Sequence, residues 1–316
     1  MITSYQYGIY PRSEALVAAT RDLDRGRTTP EAVRTQQDED LAAFVSVQRE
    51  AGLDLFSDGL LRWQDLFRPL VEASTGLEPG ALVRWFDTNT FYRAPEAHAE
   101  VSLDSGLGSE YETTGLVPGP QVATLPSPLL LSRVAVTKGA PNDFMLEAAR
   151  NVLRPAAEWF VSKGAGLVHL QEPWLAFHGA EDADWKPFEE SIRLIADGLG
   201  APVVLHTYWG DAAAHADRLR DLPVDAIGFD FSETDVDALG TNWPTGVLVG
   251  GVSGRRSVLE SVDGIAAFAR RVADTLQPPR LYVSSISDLE LLPRDLAAEK
   301  VRRLGQAAAQ LKESDR

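Results

Sequence analysis

The chain has 316 residues, 44% hydrophobic and 24% charged, which suits one large α/β domain whose core needs no covalent staples. A formal net charge of −16 argues against nucleic acid or an anionic membrane surface as a partner, because a polyanion repels it. The absence of cysteine excludes disulfides and any thiolate-ligated zinc or iron–sulfur centre.

The opening MITSYQYGIYPRSEAL has neither a basic n-region nor an apolar h-region, and no apolar run is long enough to span a bilayer. A cytoplasmic location is therefore expected. YQYGIY (5–10) reads as a first short strand. Thr29-Pro30-Glu31 then supplies an N-cap, a proline at the first helical position and an acidic first turn. Leu41, Phe44, Val45 and Val47 mark one apolar face of that helix, and Gly52 closes it before the strand LDLFSDG (53–59). Residues 68–119 break the rhythm with LVRWFDTNTFYRAPEAH and a Gly-rich SGLGSE, and are expected to be a long insertion forming a hairpin over a barrel mouth.

PQVATLP (120–126) resumes the pattern. A helix over 142–163, kinked at Pro155 and stopped by Gly164, precedes GLVHLQEP (166–173). Helices near 187–198, 211–220, 234–240 and 263–276 precede PVVLHT (202–207), VDAIGFD (224–230), GVLVGGVSG (246–254) and RLYVSSIS (280–287), and a last helix covers 294–312. Eight short strands, most followed by a helix, predict a parallel sheet closed into a (β/α)₈ TIM barrel, one domain over 1–316 with the insertion after its second strand. A doubly wound open sheet competes, but no GxGxxG follows the first strand.

Barrel active sites lie at the C-terminal strand ends. Those ends carry Tyr10, Asp58, Gln171, Glu172, His206, Tyr208, Asp230, Arg255, Arg256, Ser287 and Asp288. GIYPR (8–12), SDGLLRWQD (57–65), QEPWL (171–175), LHTY (205–208), IGFDFS (227–232) and LYVSSISDL (281–289) resemble, in order and spacing, the catalytic C-terminal domain of cobalamin-independent methionine synthase, here as a stand-alone core. In that family one His, two Cys and one Glu hold a zinc ion, which binds homocysteine as a thiolate that attacks the methyl group of a methylated folate. Carried onto this chain, the His-x-Cys pair falls on Tyr208 and Gly210, the glutamate on Asp230 and the last cysteine on Ser287. The family's amino-acid contacts become Ile9, Leu60 and Gln171. Oxygen donors alone do not keep zinc electron-rich or a bound thiol nucleophilic, so no zinc is expected.

The resemblance implies a methyltransferase-like enzyme acting on a small organic substrate, a folate-type molecule or a thioether, by zinc-independent group transfer or acid–base chemistry. Glu172, His206, Tyr208 and Asp230 are its candidate catalytic residues, and Tyr10, Asp58, Arg62, Gln171, Trp174, Arg256 and Ser287 its candidate substrate contacts. Each has a plainer reading. His206 is a general base or a hydrogen-bonded barrel histidine; Glu172 is an acid with a raised pKa or an acceptor for backbone N–H groups. Arg62 clamps a carboxylate or pairs with Asp58 or Asp65. Arg255 and Arg256 hold an anion or stay solvated, and Asp211 and His215 share a solvated helix face. Trp85, Phe86, Phe91 and Tyr92, with Trp63, Trp174 and Trp209, stack on a flat ring or pack the core, while His98, His169 and His178 read as structural. Two other functions fit the same pattern: a metal-free decarboxylase or lyase of the wider superfamily, leaning on Arg62, Arg256 and Asp58, and a non-catalytic binder.

Overall fold

The computed structural model describes residues 1–88 and 90–314. Its strands are β1 (Ile2–Ser4), β2 (Thr75–Val83), β3 (Tyr92–Ser102), β4 (Gln121–Pro126), β5 (Ala165–Gln171), β6 (Val203–His206), β7 (Ala226–Phe229), β8 (Gly246–Val252) and β9 (Leu281–Ser285). Its α-helices are α1 (Glu14–Asp24), α2 (Pro30–Ala51), α3 (Arg68–Ala73), α4 (Pro128–Val134), α5 (Pro141–Ala148), α6 (Arg154–Ser162), α7 (Pro173–His178), α8 (Asp182–Ala196), α9 (Ala216–Arg220), α10 (Val262–Leu276) and α11 (Arg294–Ser314).

Seven strands form one parallel sheet in the order β1-β9-β8-β7-β6-β5-β4. Residues 54–56 close the ring between its two edges. Asp54 and Leu55 N–H donate to Ser4 O at 2.9 and 3.3 Å, Phe56 N–H donates to Pro120 O at 3.0 Å, and Val122 N–H donates to Phe56 O at 2.8 Å. The expected strand over 53–59 is thus reduced to a bridge at Phe56, yet it completes the eightfold barrel. Phe56 needs only these few bonds because Ser57 N–H and C=O are taken by the Gln48 side chain of α2 instead of a strand.

The first strand sits earlier than the sequence reading put it. Gly8 has φ +71°, and a Cβ there would run into the Asp288 carboxylate, so the chain turns out of the barrel before Tyr10. The helix expected over 142–163 is divided into α5 and α6, and Pro155 stands in the first turn of α6. A π-turn over Ala149–Leu153 joins the two. The helix expected near 187 starts at Asp182, where Glu181 and Asp184 form a reciprocal capping pair, and Pro187 lies inside it. The helices expected over 211–220 and 234–240 shorten to α9 with a 3₁₀ turn at Ala213–His215, and to a 3₁₀ turn at Val236–Leu239.

The two faces of each strand explain where the site can be. On β5, Val168 and Leu170 join the layer packed under α8 and its neighbours, whereas Leu167 joins Val122, Val204, Leu248 and Tyr282 in the floor of the barrel interior. By the period of two, His169 and Gln171 climb the same interior face above Leu167. The interior therefore turns from apolar to polar toward the C-terminal strand ends. The insertion forms the antiparallel pair β2–β3, and its connecting residues contact loops that follow several barrel strands.

Candidate active site at the barrel mouth

A column of buried polar and aromatic side chains runs up the barrel. Tyr5 OH meets His169 Nδ1 at 3.0 Å, and the His169 ring stacks on Tyr7 at 3.7 Å. His206 presents its ring edge-on to both Tyr7 and His169, each at 5.3 Å, and to Tyr208 at 5.5 Å. Tyr208 OH donates to Gln171 Oε1 at 3.2 Å, and Gln171 Nε2 donates to Asp288 Oδ1 at 2.7 Å. The same Oδ1 accepts Ile9 N–H at 3.1 Å.

Burial pushes the Asp288 carboxyl up to about 8, with the negative charge of Glu290 adding to it. Asp288 is thus neutral at pH 7 although it sits at the end of a strand. Glu290 is raised as well, first by burial; its partners are the Arg12 guanidinium and the Thr90 hydroxyl at 3.4 Å. Tyr208 is raised well above the ordinary tyrosine value by burial and then by Asp288, so it remains a hydroxyl donor. His206 is lowered to about 3 by burial and is neutral. Among the described residues, neither His206 ring nitrogen has a hydrogen-bond partner, nor has His169 Nε2. Unmatched buried polar atoms are costly and call for a ligand or an ordered water.

Several predicted site residues are already committed to holding the fold. Glu172 is fully buried and ties two helices together: Oε1 accepts Leu175 N–H at 2.8 Å as the N-cap of α7, and Oε2 accepts Leu130 N–H at 3.1 Å and the Ser127 hydroxyl at the start of α4. Burial outweighs these bonds and pushes it up to about 7. Asp230 Oδ2 accepts Trp209 N–H at 3.0 Å, and its Oδ1 accepts Ser232 N–H at 3.0 Å. Asp58 Oδ1 accepts Leu60 N–H at 2.9 Å. Trp209 and Leu60 have φ +65° and +46°, a region costly for side chains of this size, so these two carboxylates hold the two strained turns.

Arg62 turns away from the mouth. Its guanidinium pairs with Asp38 at 2.6 Å and donates to Glu112 O at 2.5 Å, neither of the aspartates named for it from sequence. Tyr10 stacks on Phe44 of α2 at 4.0 Å, on the outer side of the strand ends. Arg256 and Ser287 line a mouth cavity of about 320 Å³ with Asp230, Ser253 and Arg255. Trp174 lies at the rim, 4.2 Å from the His178 ring. The column therefore gathers Gln171, His206 and Tyr208. Asp288 was visible among the strand-end residues but not assigned a role, and Glu290 was missed; an Asp-x-Glu pair straight after the eighth strand is the signal that marks them.

At the positions matched from sequence to the family's zinc ligands the chain carries Tyr208, Gly210, Asp230 and Ser287. Among the described residues no three His, Asp or Glu side chains converge as a ligand group. At Gly210 a Cβ would run into the Ala176 carbonyl oxygen, so the position has no room for any side chain. No helix of the described residues is long and apolar enough to cross a membrane.

The family profile described as cobalamin-independent synthase, N-terminal domain, matches residues 73–268. The methionine synthase of Sulfolobus acidocaldarius is 25% identical over 304 residues, covering 93% of this chain and 87% of the relative. A 5-methyltetrahydropteroyltriglutamate–homocysteine methyltransferase of Neisseria meningitidis serogroup B is 28% identical over 237 residues, covering 69% of this chain and 29% of that longer protein. A B12-independent methionine synthase from Shewanella sp. W3-18-1, solved with selenomethionine, shares the fold at a TM-score of 0.81 and 16% identity, with 98% of each chain covered. The profile is that of the N-terminal domain, while the motifs quoted from the sequence follow the C-terminal one; both belong to one family. With that profile spanning more than half of the chain, this protein belongs to the cobalamin-independent methionine synthase family.

Proposed function

We propose that this barrel acts on a small organic substrate by acid–base chemistry that needs no zinc, with Asp288 as the proton donor. The observation that carries the reading is the chain Tyr208–Gln171–Asp288, ending in a carboxyl held neutral at pH 7. A neutral carboxyl in a water-poor site gives a proton to a leaving group or to charge that develops in the transition state. Asp288 Oδ1 is occupied by Gln171 and Ile9, so Oδ2 is the atom that carries and delivers the proton. Gln171 fixes the distance between this acid and the Tyr208 hydroxyl, which gives a substrate two donors in a set geometry. His206, with both nitrogens unmatched, supplies a further donor and acceptor beneath them. Glu172, Asp230 and Asp58 serve by fixing backbone around this group, and Ser287 and Arg256 face the incoming substrate.

The zinc-dependent transfer of a methyl group from methylfolate to homocysteine does not suit this donor set, because the thiolate ligands that keep a zinc-bound thiol nucleophilic are absent. The test has two parts. Tag-free protein purified from zinc-supplemented medium is analysed for metal and assayed with methylfolate and homocysteine. Little bound zinc and no transfer are expected, and near-stoichiometric zinc with transfer refutes the proposal. In parallel, ligands that raise the melting temperature are followed for chemical change. Turnover that is lost in Asp288→Asn, with a melting temperature at pH 6 no lower than the parent's, supports the acid role; a ligand bound but never altered points to a binder.

A further inference from the structure

The polar column is closed from above. Gln171, Tyr208 and Asp288 are all at most 6% exposed, and Ser287, 1% exposed, borders the mouth cavity that Asp87 and Arg255 also line, so a substrate does not reach the column in the arrangement seen. What closes the mouth is residues 84–88, which connect β2 toward β3 and lie across loops from distant barrel strands. Phe86 is the plug. It is 5% exposed and meets Trp209 at 5.0 Å, Phe177 at 5.5 Å and His178 at 5.8 Å, all edge-on or tilted. His178 Nε2 donates to Trp85 O at 2.9 Å. The far side is fastened by one ion pair, Asp87 to Arg255 at 2.8 Å, with the Arg255 guanidinium 5.9 Å over the Trp209 ring.

That fastening is built to exchange. Both of its side chains are partly exposed, 37% for Arg255 and 56% for Asp87, and such pairs are weak. The loop that carries Arg255 is held from below. The fully buried Lys300 ammonium of α11 holds Glu260 at 2.7 Å and Val258 O at 2.7 Å, and Glu260 in turn accepts Ser253 N–H at 2.9 Å. A guanidinium on an anchored loop, paired with an exposed carboxylate and with Arg256 beside it in the same mouth cavity, is a carboxylate receptor occupied by the protein's own side chain.

We propose that residues 84–88 are a gate, and that a carboxylate on the incoming ligand opens it by taking the place of Asp87 on Arg255. This rests on the barrel mouth being the site, but not on the reaction performed there, and its test needs no turnover. The chain has no cysteine, so Ser287→Cys puts a single thiol beneath the gate. Its rate of modification by a small maleimide reports opening. In that background Asp87→Asn is expected to label about threefold faster, the effect an exposed ion pair supports. Phe86→Ala is expected to label at least about a hundredfold faster, because a buried aromatic anchor is lost. Acetate, compared with chloride at equal ionic strength, is expected to raise the parent rate to that of Asp87→Asn and to leave Arg255→Gln, already fast, unchanged. Melting curves confirm that each variant is folded. Labelling at the parent rate in both gate variants overturns the gate. Acetate acting no better than chloride, or acting equally on Arg255→Gln, overturns the shared anchor.

Discussion

Replacing Asp288 by Asn separates a neutral buried acid from an ordinary carboxylate. In the folded chain the carboxyl is pushed from 3.8 up to about 8, burial being the main cause and Glu290 the next. Between these two values the native state holds a proton that the unfolded state has lost. Stability therefore falls as pH rises through that window and levels off above it. At about 1.4 kcal/mol for each tenfold change in proton affinity, the full effect is on the order of 4–6 kcal/mol. Asparagine matches the neutral carboxyl in shape, and its oxygen accepts the same two hydrogen bonds from Gln171 and Ile9. Below the unfolded value of 3.8 the variant should lie within about 1 kcal/mol of the parent, and by pH 5 it should already have gained about 1–2 kcal/mol on it. By pH 8.5 it should be the more stable protein by several kcal/mol. Urea unfolding of both proteins at each pH unit from 5 to 9 gives the difference directly, and contributions from other groups such as Glu172 cancel. A difference that stays flat with pH, or that favours the parent at high pH, would falsify the neutral-acid assignment.

Other consequences are simpler to test. Glu172→Gln leaves one oxygen where two now cap α7 and α4, so a loss of about 1–3 kcal/mol is expected in urea melts with no ligand present. His206→Phe removes two unmatched nitrogens and keeps a ring against Tyr7 and Tyr208; stability should change by less than about 1 kcal/mol, while ligand binding weakens. Gly210→Ala forces a methyl against the Ala176 carbonyl and should cost about 1–3 kcal/mol; an unchanged melting temperature would show that α7 yields freely there.

The architecture was readable from sequence wherever local signals agreed with the fold. Thr29, Pro30 and Gly52 bound α2 as their chemistry dictates, and the parallel strands β4 to β9 fall within one residue of their predicted runs. The reading slipped where long-range contacts decide. Nothing local says that Gln48 takes both backbone groups of Ser57 and leaves the second strand as a bridge. Nor does the run YQYGIY reveal that Gly8 yields its space to Asp288, which moves the strand start and sends Tyr10 toward Phe44. At the site, strand phase was enough to bring Gln171, His206 and Tyr208 into one column. It could not separate a carboxylate within the buried column from one that holds a turn, because Glu172, Asp230 and Asp58 are told from Asp288 by which N–H groups reach them.

That distinction also bears on how the polar mouth of this family member is organised. A zinc ion needs several side chains to converge on one point and keep their charge. Here the strand ends hand their charged groups outward to backbone: Asp230 to Trp209, Asp58 to Leu60 and Glu172 to two helix starts. Gly210 is pressed against α7, which leaves no room to return a ligand. The groups that face inward are neutral ones, namely Tyr208, Gln171, His206 and the protonated Asp288. An interior of neutral donors and acceptors is inexpensive to close from water in the resting state, and a charge appears there only when Asp288 has given up its proton. With Asp288 in the proposed role of proton donor, the rate of turnover should fall as pH rises past its value near 8.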